Sequence, residues 1–278
     1  MSAEPRQHSD YSPRQTDAAR RVLVDLGQTL AAFHDCLVVI GGWVPDLLLT
    51  GAAEPHVGSI DVDLALDARK LGDGRYAELL RVLLATRRYR PGRKAFQLLV
   101  DVDLGDGGKP VEVEVEFLAP KEVKLKKNKP KLLEGFRVLQ AEGCGAAFSA
   151  PEQVEVTGRM VRGSQNKVTL RVASLPDFLV MKAHAIGGRD KPKDSYDLCY
   201  CLDHFPGGIG QLASVWRGRA LEPDVRKAVV LLREKFSTVD AFGPGQVVEF
   251  LALDNGEAAA MQARRAFELV QSLLRELS

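Results

Sequence analysis

A chain of 278 residues, 45% hydrophobic and 27% charged, suits one large soluble domain or two small ones. A formal net charge of +1 gives no global argument for nucleic-acid binding, so local basic patches must carry that case. The four cysteines, Cys36, Cys144, Cys199 and Cys201, contain no CxxC pair, which argues against a zinc-finger framework and reads as free thiols in a reducing cytoplasm. The start, "MSAEPRQHSDYSPRQ", is too polar for a signal peptide, and no apolar run approaches the ~20 residues that span a bilayer. The expectation is a cytoplasmic protein with no membrane association.

Residues 1–11 are polar. "SPRQ" then opens a helix, with Ser12 as cap, Pro13 at the first helical position and Gln15 completing a capping box. The apolar stripe Val22, Leu23, Leu26 and Leu30 carries this helix to about Phe33. "CLVVI" (36–40) reads as a short buried strand, Gly41-Gly42 as a turn, and "WVPDLLLTG" as a short helix ending near Gly51. After a loop over 52–59, "IDVDLAL" (60–66) alternates as a strand, and "GRYAELLRVLLATRRY" follows as a helix. "KAFQLLVDVDLG" and "KPVEVEVEFLA" predict two strands joined by the turn "GDGGKP". Together these elements predict a small mixed α/β sheet.

The Lys-rich segment "PKEVKLKKNKPKLLEG" (120–135) marks a change of composition. It divides the chain into a catalytic domain at 12–120, a basic linker with further strands at 121–174, and a helical C-terminal lobe at 175–278. "QVEVTG" and "KVTLRVAS" are the further strands. "SLPDFLVMKAHAIGG" and "PKDSYDLCYCLDHF" are helices, and segments 223–237, 244–254 and 256–277 complete the lobe.

The chemistry concentrates in "IDVDLAL". Residues i and i+2 of a strand share a face, so Asp61 and Asp63 point the same way and repel each other unless a cation lies between them. Mg²⁺ takes hard oxygen ligands from one or two carboxylates and from substrate phosphates. In "VEVEVEF", Glu112, Glu114 and Glu116 also share one face, and this strand is the expected source of a third acid. If it lies beside the Asp61–Asp63 strand, one or two of these glutamates can reach the metal. Two metal ions about 3.5–4 Å apart would support in-line phosphoryl transfer. Gly41-Gly42, between a strand and a helix, lets backbone N–H groups approach a phosphate.

The sequence of Gly-Gly turn, Asp-x-Asp strand and later acidic strand resembles the polymerase-beta-like nucleotidyltransferase superfamily. Within it the chain is most similar to the AbiEii-type nucleotidyltransferases, the toxins of abortive-infection and type IV-like toxin–antitoxin systems. "MKAHAIGGRDKPKDSYDL" (181–198) looks like that family's second signature, carried here by Lys182, Arg189, Lys193, Asp194 and Asp197. The third acid is Glu where the superfamily usually has Asp, and the turn is Gly-Gly rather than Gly-Ser. Ser59, two residues before Asp61, stands where a phosphate-contacting hydroxyl is needed.

The resemblance implies a polymerase-beta-like mixed sheet with a helical C-terminal lobe. It implies transfer of a nucleoside monophosphate from an NTP to an RNA acceptor, the tRNA 3′ end, with release of pyrophosphate. Mg²⁺ would sit on Asp61, Asp63 and Glu116, with two ions expected. Gly41, Gly42, Ser59, Arg189 and Lys193 would bind nucleotide, and Lys182 and Asp194 would act in catalysis. A cognate antitoxin is the implied protein partner, and Ser59 the implied site of regulatory phosphorylation.

Competing readings stand beside these. Asp101-x-Asp103 lacks a Gly-Gly helix start and reads as a solvated face. Glu112 and Glu114 suit cross-strand pairing, His184 and Trp43 suit packing, and Lys182 suits a snorkelling surface lysine. The lysine run (Lys121, Lys124, Lys126, Lys127, Lys129, Lys131) is either a solvated loop or an RNA surface. Arg87, Arg88, Arg90, Arg93 and Lys94 form another basic cluster. Two rival functions remain: nucleotidyl transfer to a small molecule such as an aminoglycoside, and a non-catalytic relative that binds nucleotide or a partner.

Overall fold

The computed structural model of the chain describes residues 4–67, 69–70, 75–121 and 138–278. The chain divides into two compact units. One, the sheet unit, is Ser12–Val44 with Gly58–Ser174. The other, the helical unit, is Met1–Tyr11, Pro45–Val57 and Leu175–Ser278.

The sheet unit begins with α1 (Pro13–Thr29). The expected capping box is present: the Gln15 N–H donates to Ser12 Oγ at 3.3 Å, and Gln15 Oε1 accepts from the Ser12 N–H at 3.2 Å. The helix stops four residues before Phe33, and a 3₁₀ segment, Ala31–Cys36, takes over. Val22, Leu23 and Leu26 are buried, each contributing about 1.5–3 kcal/mol. Asp25 is buried among them, where it accepts from Tyr89 Oη at 2.7 Å and from Arg88 Nη2 at 3.0 Å.

The strands are β1 (Leu37–Ile40), β2 (Asp61–Leu66), β3 (Tyr89–Pro91), β4 (Gln97–Val102), β5 (Val111–Pro120), β6 (Leu139–Ala141), β7 (Glu152–Arg159) and β8 (Gln165–Val172). Their order in one mixed sheet is β3-β4-β5-β2-β1-β8-β7, with β6 added to β5. The predicted hairpin is β4–β5. The helix α2 (Trp43–Leu48) leaves β1, and α3 (Arg75–Ala85) precedes β3.

One boundary differs from expectation. The sheet does not end at residue 120, because β8 pairs in parallel with β1 and β7 pairs with β8. The composition change at the lysines therefore falls inside the sheet unit. Residues 122–137, which carry Lys124, Lys126, Lys127, Lys129 and Lys131, lie outside the described residues; Lys121 pairs with Glu142 at 2.6 Å.

The helical unit contains α4 (Leu175–Gly188), α5 (Pro192–Asp203), α6 (Gly208–Gly218), α7 (Pro223–Lys235), α8 (Phe242–Phe250) and α9 (Glu257–Glu276). Only α6 has no counterpart in the sequence reading, since its glycines at 207, 208, 210 and 218 mask the helical period. All four cysteines are buried free thiols. Among the described residues no helix is long and apolar enough to cross a membrane.

Gly27 explains how α1 approaches the sheet. A Cβ there would meet Val168 Cγ2 at 2.9 Å, Val168 Cβ at 3.1 Å and Leu170 Cδ2 at 2.8 Å of β8. In an exposed helix Gly→Ala gains about 0.5–1 kcal/mol, but overpacking here costs about 1–3 kcal/mol. Gly27→Ala is therefore expected to lower the urea midpoint of unfolding, and a raised midpoint would show that β8 yields.

Candidate active site

The register of β2 and β5 builds the site. The two strands run parallel, with Asp61 opposite Glu114 and Asp63 opposite Glu116. Val62 and Leu64 of β2, and Val113, Val115 and Phe117 of β5, alternate with these acids and are buried on the other face. Two pairs of carboxylates thus share one face of the sheet, which requires compensating charge or donors.

Part of that compensation comes from β4 and the turn before it. Gln97, buried in β4 opposite Glu116, donates from Nε2 to Glu114 Oε2 at 2.7 Å and to Glu116 Oε1 at 3.2 Å. The Lys94 ammonium lies 3.0 Å from Glu116 Oε1. Burial raises the Glu114 carboxyl above its ordinary range; Lys94 opposes this, while Glu116, Asp61 and Glu112 add to it. Glu112, further out, pairs with Arg90 at 2.7 Å, and Asp101 and Asp103 are exposed, as the competing readings predicted.

The Gly-Gly turn abuts these acids. Gly41 has φ +70°, and a Cβ there would stand 2.5 Å from Asp63 Oδ2. The left-handed backbone favours glycine, and a side chain there would displace the Asp63 carboxylate. The Val44 N–H donates to the Gly41 carbonyl at 3.1 Å and closes the turn. Trp43 is buried, and its indole N–H donates to the Asp61 carbonyl at 2.7 Å, fixing the start of β2. Ser59 is 4% exposed, and its hydroxyl donates to Asp61 Oδ1 at 2.5 Å.

These donors fit a hard divalent cation in kind: carboxylate oxygens from adjacent strands, aligned by register, beside a turn with no side chain to fill the space. Among the described residues, no three His, Cys, Asp or Glu side chains converge as a ready-made metal group. Glu116 is drawn instead to Lys94 and Gln97.

The second signature forms a separate cluster in the helical unit. Lys182 of α4 is buried, with its Nζ 2.7 Å from Asp194 Oδ1 and 2.7 Å from Asp197 Oδ2 of α5. Arg189 grips Asp194 with Nε at 2.7 Å and Nη2 at 3.0 Å. Lys193 lies 2.7 Å from Asp197, and the His56 imidazole donates to the same carboxylate at 2.9 Å. Burial opposes the charge on Asp194, but Lys182 and Arg189 outweigh it and hold the group at about 2. Burial likewise opposes the charge on Lys182, which Asp194 and Asp197 overcome, raising its pKa. Lys193 is lowered by burial despite Asp197. The side chain of Arg189 alone in this cluster is half exposed, at 54%.

The structure brings Lys182, Arg189, Lys193, Asp194 and Asp197 into one cluster, and Lys182 is buried, against the competing reading of a snorkelling surface lysine. The sequence does not single out His56 or Gln97, and it places Lys94 only in a basic cluster rather than beside Glu116. His184 packs as expected, with Nε2 2.9 Å from the Asp224 carbonyl. His56 sits in a loop without periodicity, so only its partner on α5 reveals it.

His56 predicts a pH response. Burial and then Lys193 lower its pKa to about 4 from an ordinary 6.5, against the hydrogen bond to Asp197. As pH falls below about 6.5 the unfolded chain takes up a proton that the folded chain refuses until about 4, so stability falls through that window. The loss between pH 7 and 4.5 should be about 2–3 kcal/mol. Asp194, held at about 2, contributes only below its ordinary 3.8. Urea unfolding at both pH values should show a smaller loss in His56→Gln than in wild type; equal losses would mean that folded His56 titrates normally.

Comparisons with known proteins come from sequence and from structure. The sequence profile described as "Nucleotidyl transferase AbiEii toxin, Type IV TA system" matches residues 24–268. No curated protein matches the sequence. An antigenic nucleotidyltransferase-like protein from Paracoccidioides brasiliensis is similar at 16% identity over 79% of this chain and 89% of that one, with a TM-score of 0.41. JHP933 from Helicobacter pylori is similar at 13% identity over 96% and 94%, with a TM-score of 0.39. The profile spans both the carboxylate face and the Lys182–Asp197 cluster, and the chain belongs to the AbiEii nucleotidyl transferase toxin family.

Proposed function

We propose that the protein transfers a nucleoside monophosphate from an NTP to an RNA acceptor, the tRNA 3′ end, releasing pyrophosphate, in a Mg²⁺-dependent reaction. The observation that carries this reading is the β2–β5 register, which sets Asp61 and Asp63 against Glu114 and Glu116 beside Gly41. In a type IV toxin–antitoxin system this activity is the toxin, and a cognate antitoxin is its protein partner.

Asp61, Asp63 and Glu116 are the residues that would hold Mg²⁺, with Glu114 as the alternative third ligand. When bound, the metal supplies positive charge to the triphosphate and acidifies the attacking hydroxyl. Gly41 and Gly42 offer backbone to the phosphates without side-chain obstruction. Ser59 orients Asp61 through its hydroxyl. Arg189, the half-exposed cation of the Lys182–Asp197 cluster, is the residue assigned to an anionic ligand. Lys182 and Lys193 act on it indirectly, through the aspartates they share. Asp194 is too weak a base at about 2 to take a proton near neutrality and serves to position Arg189 and Lys182. Phosphorylation of Ser59 would put about two negative charges beside Asp61 and repel the incoming triphosphate.

The pairing of Lys94 with Glu116 keeps a second reading in view, a catalytically silent relative that binds nucleotide without turnover. Purified protein with each radiolabelled NTP, Mg²⁺ and total tRNA separates the two. Label should enter tRNA with wild type and fall by roughly 10³-fold in Asp61→Ala/Asp63→Ala. NTP binding without label transfer in either protein would support the silent relative, and label entering a small acceptor alone would move the assignment to that class.

Two further outcomes follow from the geometry. Glu116→Gln should reduce transfer by at least roughly 10²-fold and weaken the response to added Mg²⁺; a larger effect from Glu114→Gln in the same Mg²⁺ titration would exchange the two roles. Ser59→Asp should be inactive yet fold with an unchanged circular-dichroism spectrum, and full activity would remove Ser59 as a regulatory site.

A further inference from the structure

A second concave site lies in the sheet unit. A pocket of about 680 Å³ is walled by the middle of α1, the approach to β3, the β4–β5 turn and the β7–β8 turn. Five arginines line it: Arg21, Arg87, Arg88, Arg159 and Arg162. We propose that this pocket binds the phosphate backbone of the RNA acceptor, an inference that rests on the RNA reading above and adds a binding site to it.

Three observations carry the proposal. First, Arg21 is only 8% exposed; one of its nitrogens pairs with Asp17 at 3.0 Å, but its buried Nε–H has no hydrogen-bond acceptor. A buried guanidinium donor without an acceptor is costly, and a turn of this pocket-lining side chain that brought Nε–H to the pocket would let a phosphate oxygen satisfy it. Second, Arg87 has φ +58°, a left-handed conformation uncommon for a residue with a side chain. Glycine or asparagine would take that backbone more easily, so the strain is retained with a cation at the rim. Third, Arg87, Arg159 and Arg162 are exposed, and none has a carboxylate partner among the described residues. Arg88 differs: it is tied to Asp25 and serves as a fixed wall.

The remaining lining chooses between phosphate-bearing ligands. Asp101 and Asp103 also face the pocket. Arg90 holds Asp101 at 3.0 Å, so Asp103 carries most of the repulsion of a bare polyphosphate, whereas the exocyclic amino groups of bases donate to carboxylates while arginine forks hold the backbone. The mixture suits a nucleic-acid strand. Its position suits an acceptor too. The β4–β5 turn lies at the end of the sheet that carries Asp61: Val102 pairs with Val111, and Asp61 with Glu114, three residues further along β5. That offset is about 10 Å.

The test is binding of fluorescently labelled total tRNA to the full chain in EDTA, so that no nucleotide is transferred, across a salt titration. In Arg87→Gly/Arg159→Thr/Arg162→Ser the slope of log K against log salt should be shallower by about 2–3, or about 0.7–0.9 for each lost phosphate contact. Arg87→Gly alone should weaken tRNA binding while leaving the melting temperature unchanged or higher, which separates lost binding from lost folding. An unchanged slope in the triple variant overturns the pocket, and so does failure of the wild type to bind tRNA. Binding of inorganic tripolyphosphate by a wild type that ignores tRNA overturns the choice of RNA. Label transfer measured in parallel with Mg²⁺ keeps the two readings distinct. A shallower slope with no transfer from any NTP supports the pocket and rejects the transfer chemistry. Normal transfer with an unchanged slope does the reverse.

Discussion

The parallel pairing of β2 with β5 is the constraint on which the candidate site depends. In a strand the side-chain period is two, and a slip of one residue would carry every side chain to the opposite face. Val62, Leu64, Val113, Val115 and Phe117 have to be buried, so the register is fixed by the core and the acids follow. The electrostatic cost of gathering Asp61, Asp63, Glu114 and Glu116 is thus imposed by apolar packing. Gln97 offsets part of it with two donated hydrogen bonds, and Lys94 offsets part with charge. Gly41 completes the constraint, because its backbone disfavours another residue and a side chain there would push the Asp63 carboxylate aside.

The helical unit solves a different electrostatic problem. Lys182, Lys193, Asp194 and Asp197 are all buried, and a buried charge is tolerable only when it is paired and hydrogen-bonded. Each aspartate here receives two cations: Lys182 and Arg189 for Asp194, Lys182 and Lys193 for Asp197. Lys182 is the shared member that joins the two, and it links α4 to α5. His56 extends the network to the segment 45–57 of the same unit, where the Glu54 carbonyl also accepts from Tyr200 Oη at 2.7 Å. Such a network holds one arrangement of Arg189 at its edge. Its value lies in orientation more than in stability, since buried ion pairs repay their desolvation poorly.

Much of this was legible in the sequence, for identifiable reasons. The Ser12–Gln15 capping box, the β4–β5 hairpin and the alternation in "IDVDLAL" are local signals, and each has a counterpart in the fold. The pairing of β8 with β1 joins residues more than a hundred positions apart and leaves no local trace, so the sheet extends past the lysine-rich boundary where composition suggested an end. Arg189 and Asp194 share one signature, and their contact is visible at short range. His56 and Asp197 lie 141 positions apart, and nothing in "GAAEPHVGS" points to a helix elsewhere in the chain. Gln97 was legible as a strand residue but not as the donor that two glutamates share.

The use of Glu rather than Asp at position 116 acquires a physical rationale from Lys94. Asp61 is fixed closely, with its carboxylate accepting from Ser59 and its carbonyl from Trp43. Glu116 is longer by one methylene and carries an extra rotatable bond, which lets it lie against Lys94 and Gln97. An aspartate opposite Asp63 would have less reach away from its neighbour and would crowd a second carboxylate against it. The extra methylene therefore lets the carboxylate face be electrically compensated by the protein's own lysine. On the proposed reading, in which Glu116 is a metal ligand, Lys94, a residue outside both signatures, would compete with that metal for the same carboxylate.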